Sequence, residues 1–257
     1  MRKYLIRYLI SIQLIILLVS CLDGQSGAAL TTPAGEDEPV VEVQIMETPE
    51  EIPDIEGVPC GLALPGPDDW EVVVCEQFDD NRNEWEVESQ DNPYAKYTSA
   101  ITDGKFVVDY TAKRFEGYKG TALTWFTIGE GRDFAISTKG LMDTPFKDAS
   151  WGIAFRGDEN SFFLFSILND GTYRFEIFEN GGWDTLITTR VYSDIRLGEE
   201  NTLRIEAAGR DFYFSINDTL VNQFSGGLLK GEEILLVVSA KEGVSATFAF
   251  DDVVLQR

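Results

Sequence analysis

The stretch Ser161–Ile187, SFFLFSILNDGTYRFEIFENGGWDTLI, contains two turn signals, Asn169-Asp170-Gly171 and Asn180-Gly181-Gly182, each set between runs of aromatic and aliphatic residues. Asn and Gly readily adopt the left-handed backbone of tight turns, so this pattern reads as strands joined by hairpins. Successive side chains of a strand point to opposite faces. Tyr173, Phe175 and Ile177 therefore share one side, and Arg174 and Glu176 the other. One oily face and one charged face is the pattern of an antiparallel sheet that is wet on one side.

The same reading extends in both directions. Lys105–Tyr110, Trp151–Arg156, Leu203–Ala207 and Phe212–Ile216 alternate in the same way. Asp103-Gly104, Gly157–Asn160 and Asn217-Asp218 punctuate them. Leu203, Ile205 and Ala207 are expected inward, as are Phe212, Phe214 and Ile216, and Trp151, Ile153 and Phe155; Arg156 is expected outward. Trp85 is also assigned to the core. No dozen residues hold a helical period with caps, so parallel βαβ folds are excluded. A dozen or more strand candidates exceed a seven-strand immunoglobulin-like sandwich, and the expectation is an all-β, two-sheet antiparallel jelly roll.

Ahead of this domain the sequence changes character. Arg2, Lys3 and Arg7 precede an apolar run from Tyr8 to Val19 that is too short to span a bilayer, which needs roughly 20 residues. This is the form of an export signal over residues 1–20. Leu18-Val19-Ser20-Cys21 resembles the bacterial lipoprotein signal, which implies a lipid on Cys21 and an extracytoplasmic protein anchored to a bacterial membrane. Residues 21–59 read as a tether: 22–59 carry ten acids, no Lys or Arg and five prolines, a composition that cannot bury enough surface to order itself. Such a chain spans roughly 35 Å. With Cys21 lipidated, Cys60 and Cys75 remain, and an oxidising compartment favours a disulfide between them. Residues 60–257 form the sandwich domain.

Composition removes several function classes. The 257 residues include 21 Lys and Arg, 44 Asp and Glu, and no histidine, for a net charge of −23. His-containing triads and imidazole metal ligands are thereby excluded. The acid surplus argues against nucleic acid, because phosphate binding needs clustered cations. No phosphate loop or nucleophile elbow is present.

Several segments now carry a resemblance. Phe78-Asp79-Asp80-Asn81-Arg82-Asn83-Glu84-Trp85 opens the domain, and Asn169–Tyr173 precedes Gly182-Trp183-Asp184-Thr185-Leu186. Asn201–Ile205 leads into Phe212–Asn217, and Phe248–Val253 closes the chain. In this order, over about residues 70–257, they resemble concanavalin A-like lectin/glucanase sandwiches, in particular domains of bacterial lipoproteins and related 3-keto-disaccharide hydrolase-type domains. The resemblance implies a jelly roll whose concave face binds glycans.

Glycoside hydrolysis needs two carboxylates across the scissile bond. Laminarinase-like relatives carry Glu-x-Asp-x-Glu on one strand, which this chain lacks. Glu84-x-Glu86-x-Glu88 has a strand period but lies at the domain entry, and Glu176 and Glu179 point to opposite sides of a regular strand. No catalytic residue is assigned. Sugar binding needs aromatic faces and planar polar groups. Trp125, Trp183 and Tyr213 are candidates for stacking, with Arg156, Arg174, Glu176 and Arg204 for hydrogen bonding, all on the open face of one sheet. In their purely structural role such Arg–Glu pairs contribute under about 1 kcal/mol each. Asp79 and Asp80 near the first strand and Asp251 and Asp252 on the last are a calcium-ligand expectation, since terminal jelly-roll strands pair. No other cofactor is expected. The reading is a tethered lipoprotein that binds glycan or a cell-envelope partner without catalysis; the alternative is a laminarinase-like or 3-keto-disaccharide hydrolase-type enzyme.

Overall fold

The computed structural model describes residues 70–114, 121–158, 160–227 and 229–257. The export segment, the tether, Cys21 and Cys60 lie outside them. The described residues contain fifteen strands and no helix. They are β1 (Val72–Glu76), β2 (Ser89–Asp91), β3 (Ala95–Thr102), β4 (Lys105–Ala112), β5 (Thr121–Glu130), β6 (Phe134–Asp143), β7 (Ala149–Gly157) and β8 (Ser161–Leu168). The series continues with β9 (Thr172–Glu179), β10 (Gly182–Val191), β11 (Glu200–Ala208), β12 (Asp211–Ile216), β13 (Thr219–Ser225), β14 (Glu233–Lys241) and β15 (Ser245–Gln256).

They form two sheets in which every pairing is antiparallel. One has nine strands, in the order β13-β12-β11-β6-β15-β4-β3-β2, with β1 also paired to β15. The other has six, in the order β10-β9-β8-β7-β14-β5. The long closing strand β15 serves both ends of its neighbourhood. Its first half pairs β4 (Phe250 opposite Phe106), and its second half pairs β1 (Val253 opposite Glu76).

Alternation sends one side of each sheet into a shared core. Leu203, Ile205, Phe212, Phe214, Phe250 and Trp151 are all fully buried there. The hairpin stretch behaves as its pattern requires: the Phe175 ring lies 4.6 Å from that of Phe214 across the sandwich, tilted against it, beside Phe155 and Phe163. Trp151 reaches from the six-stranded sheet to Gly140 of β6, where an added Cβ would sit 2.6 Å from the indole. Its other side packs edge-on against Phe250 at 5.4 Å. Gly140 is therefore the socket for the largest core side chain, an interlock of large against small. Trp85 is also buried, against Phe78 and Phe106.

Arg156 departs from its expected place. It is 1% exposed, not outward. The cause is local: Arg156 has φ +50°, and the register of β7 against β14 shifts between Glu233 and Leu235. A bulge of this kind breaks the two-residue alternation and re-aims a side chain. The guanidinium lies 4.7 Å over the Phe212 ring, its Nε donates to the Arg132 carbonyl (2.9 Å), and its Nη2 donates to Asp133 (3.2 Å). It spans the end of the sandwich as a latch between sheets.

Candidate functional site

The outer face of the six-stranded sheet differs from an ordinary wet face. Its registers trace continuous cross-strand rows. One runs Trp125, Val237, Gly152, Ser166, Arg174, from the β5 edge to β9. The next runs Thr127, Leu235, Ala154, Leu164, Glu176, Thr185 and ends on β10. A third joins Phe162, Phe178 and Trp183, whose rings lie 5.3–5.4 Å apart.

The sequence explains the shape. Small residues, Gly152, Ala154 and Ser166, occupy the middle strands, and large ones stand at both flanks. Ala154, Leu164, Leu235 and Val237 form a second apolar cluster on this face, joined by Leu123, Phe162 and Trp183. The floor is thus small and oily between Trp125 on one side and Arg174, Glu176 and the aromatic trio on the other. Four strand spacings separate Trp125 from Arg174, about 19 Å. Trp125 remains 40% exposed, the indole that a ligand on this face would meet first.

The polar groups of the trough are few and incompletely satisfied. Arg174 Nε lies 2.9 Å from Glu176 Oε2, a close ion pair with side chains 26% and 14% exposed. The neighbouring Ser166 Oγ is buried without a hydrogen-bond partner among the described residues. Burial holds the Glu176 carboxyl above the usual carboxylate range, and the Arg174 charge pulls it partly back. Nearby, Ser150 and Ser239 satisfy each other at 2.6 Å.

Chemistry on this face is limited by its acids. Retaining glycosidases hold two carboxyl groups about 5–5.5 Å apart and inverting ones roughly 6.5–9.5 Å. The rows above contain a single carboxylate, Glu176. The Glu84-Glu86-Glu88 period does not form a strand, because Glu84 has φ +55° and β2 begins only at Ser89. Glu88 instead accepts a hydrogen bond from the Tyr97 hydroxyl.

Of the seven residues expected on one open face, the structure brings together four: Trp125, Arg174, Glu176 and Trp183. Arg204 and Tyr213 lie on the outer face of the other sheet, on β11 and β12, where Arg204 sits 3.4 Å from Glu206. Two packed layers about 10 Å apart separate them from the trough. Arg156 is in the interior. Period-two patterning assigns a side chain to a face of its own strand, but not a strand to a sheet. Ser166 and Gly152 were missed, although a signal existed: Ser166 is the lone hydroxyl within the apolar run Phe162–Leu168.

Among the described residues, three of the four acids expected at a calcium ion have other partners, Asp79 being the exception. The terminal strands β1 and β15 do pair. Asp80, however, is held by Arg82 (2.9 and 3.0 Å), and Asp252 by Lys139 (2.7 Å). Asp251 accepts from the Asp252 backbone N–H at 2.8 Å. Among the described residues no group of three or more Cys, Asp or Glu side chains is placed to hold a metal ion. A shallow depression of about 500 Å³ on the nine-stranded sheet is lined by Thr98, Asp109, Thr247 and Ser245. Its hydroxyls bond within the face (Thr247 to Asp109, 2.7 Å; Thr111 with Ser245, 2.9 Å), and its two tyrosines, Tyr97 and Tyr110, are buried. It offers no aromatic face for stacking.

No protein-family model matches the chain, and neither does any curated protein. Solved structures do. The catalytic domain of an endo-1,3-β-glucanase (laminarinase) from Thermotoga petrophila is 11% identical with a TM-score of 0.53, covering 74% of this chain and 98% of that one. A laminarinase from a Flavobacterium species is 11% identical with a TM-score of 0.53, covering 73% and 100%. A GlcNAcα1-4Gal-releasing endo-β-galactosidase from Clostridium perfringens is 10% identical with a TM-score of 0.57, covering 76% and 65%. At such identities the likeness is one of fold: the domain is a concanavalin A-like jelly roll.

Proposed function

We propose that the sandwich binds glycan in the trough on its six-stranded sheet and does not cleave it. The observation that carries this reading is the pairing of an exposed Trp125 with a polar cluster holding one carboxylate. An indole offers a flat apolar face to a sugar ring, and a hydrogen-bonding pair meets its hydroxyls. A lone acid cannot serve as both acid and base, or acid and nucleophile, across a glycosidic bond. A glycan array with turnover measured on every hit tests this. Binding without product is expected, and Trp125→Ala weakens it at least tenfold, the equivalent of about 1.4 kcal/mol. Released product would replace this reading with the hydrolase; binding untouched by Trp125→Ala would move the site off this face.

The same proposal places the domain outside the cytoplasm, held to a bacterial membrane by lipid on Cys21, with residues 21–59 as its tether. Two or more acyl chains hold a protein stably where one holds only marginally. A Cys60–Cys75 bridge would fasten the end of the tether to β1, closing a loop of about 15 residues that contributes roughly 3 kcal/mol. Mass spectrometry of the membrane-extracted protein is expected to find an acylated N-terminal Cys21 and a linked Cys60–Cys75 peptide without reductant. An unmodified N-terminus or two free thiols would overturn the respective assignment.

A further inference from the structure

We propose that the trough selects uncharged saccharides and grips them at Ser166, Arg174 and Glu176, rejecting uronate and sulfated chains; this rests on the glycan-binding reading above. The starting point is a pair of neighbours in register, Ser166 on β8 and Arg174 on β9. Ser166 Oγ is buried without a hydrogen-bond partner among the described residues, and Arg174 Nε faces the Glu176 carboxylate as an ion pair. Buried polar groups are nearly always satisfied, so an unpartnered hydroxyl beside an ion pair on one face points to a partner other than the described residues. Glu176 completes the group, its Oε2 only 2.9 Å from that Nε.

A sugar hydroxyl both donates and accepts. One such hydroxyl can accept from Ser166 Oγ while donating to Glu176, beside the Arg174 guanidinium, and the serine then gains its bond without any charge moving. Gly152, opposite Ser166 on β7, adds no side chain over the hydroxyl. A carboxylate or sulfate has no proton to donate. To use Arg174 it must displace Glu176, leaving a largely buried carboxylate uncompensated, which is strongly unfavourable. The wider field acts in the same direction: residues 60–257 hold 34 acids against 18 bases, and a surplus of this sign repels polyanions.

The test is calorimetric titration of the full chain with gluco-, galacto-, manno- and fructo-oligosaccharides, and with oligogalacturonate, alginate oligomers and heparin oligomers. At least one neutral probe is expected to bind, with every acidic probe tenfold or more weaker. Ser166→Ala should weaken the neutral probe about threefold to tenfold while its melting temperature holds or rises, because the variant deletes an unsatisfied buried hydroxyl. Glu176→Gln should narrow the gap by letting acidic probes reach Arg174. Acidic probes binding as tightly as neutral ones, a gap unchanged in Glu176→Gln, or an unaltered affinity in Ser166→Ala would each overturn this inference and leave glycan binding standing. A chain that binds no saccharide at all overturns both.

Discussion

Gly152→Ala is expected to lower the stability of the sandwich by about 3 kcal/mol, the upper end for an added methyl in a packed interior. The added Cβ would sit 2.2 Å from the Phe165 carbonyl oxygen and 2.7 Å from Ser166 Cα. These are backbone atoms of the paired strand β8, so relief requires β7 and β8 to part at the centre of the sheet. For a domain of this size the loss corresponds to a melting temperature about 6–12 °C lower. Gly157→Ala on the same strand is the control. Its Cβ would come no closer than 3.5 Å to the side chains of Glu233 and Phe162, and its φ is not positive, so removing glycine's freedom from the unfolded chain leaves it neutral or slightly stabilised. Thermal melts of the two variants check the pair. Equal melting temperatures would mean that the sheet tolerates a side chain at the trough floor, and would remove the steric reason for a glycine there.

The second large effect concerns Arg156. Its charge is desolvated, which pulls its pKa below the ordinary guanidinium value despite Asp133 nearby. Nη1 is buried without a hydrogen-bond partner among the described residues, and Asp133 is half-exposed, with its side chain 56% accessible. The favourable part of this residue is therefore its stem and its stacking on Phe212 more than its ion pair. Arg156→Ala should cost about 3 kcal/mol by opening a cavity against Phe212 and leaving the Arg132 carbonyl without its donor. Arg156→Met keeps the stem and removes the buried charge, so it should cost under about 1.5 kcal/mol, as hydrophobic replacements of buried ion pairs often do. Denaturant unfolding of both variants measures the difference. If methionine proves as damaging as alanine, the hydrogen bonds to Arg132 and Asp133 hold this end together, and the packing account is wrong.

Much of the scaffold was readable from local pattern. The hairpin stretch Ser161–Ile187, the inward Leu203-Ile205-Ala207 and Phe212-Phe214-Ile216 triplets, and the buried Trp151 are where alternation places them, and Trp85 is buried as expected. Arg156 was misread because nothing in the one-letter pattern announces a non-glycine residue at positive φ. The trough was half-readable. Trp125, Arg174, Glu176 and Trp183 drew notice by residue type, whereas Ser166 and Gly152 are ordinary residues that matter only through what lies across the strand from them.

Alternation between neighbours a few residues apart therefore determined by itself that this chain makes a two-layer antiparallel sandwich, because each strand's oily and polar sides follow from covalent geometry and from residue type alone. Only the tertiary structure decided that Trp125 and Arg174, 49 positions apart, share one cross-strand row while Arg204 and Tyr213 look out from the opposite sheet. Strand partners are selected by packing and hydrogen bonding between segments remote in the chain, and no local period encodes that choice.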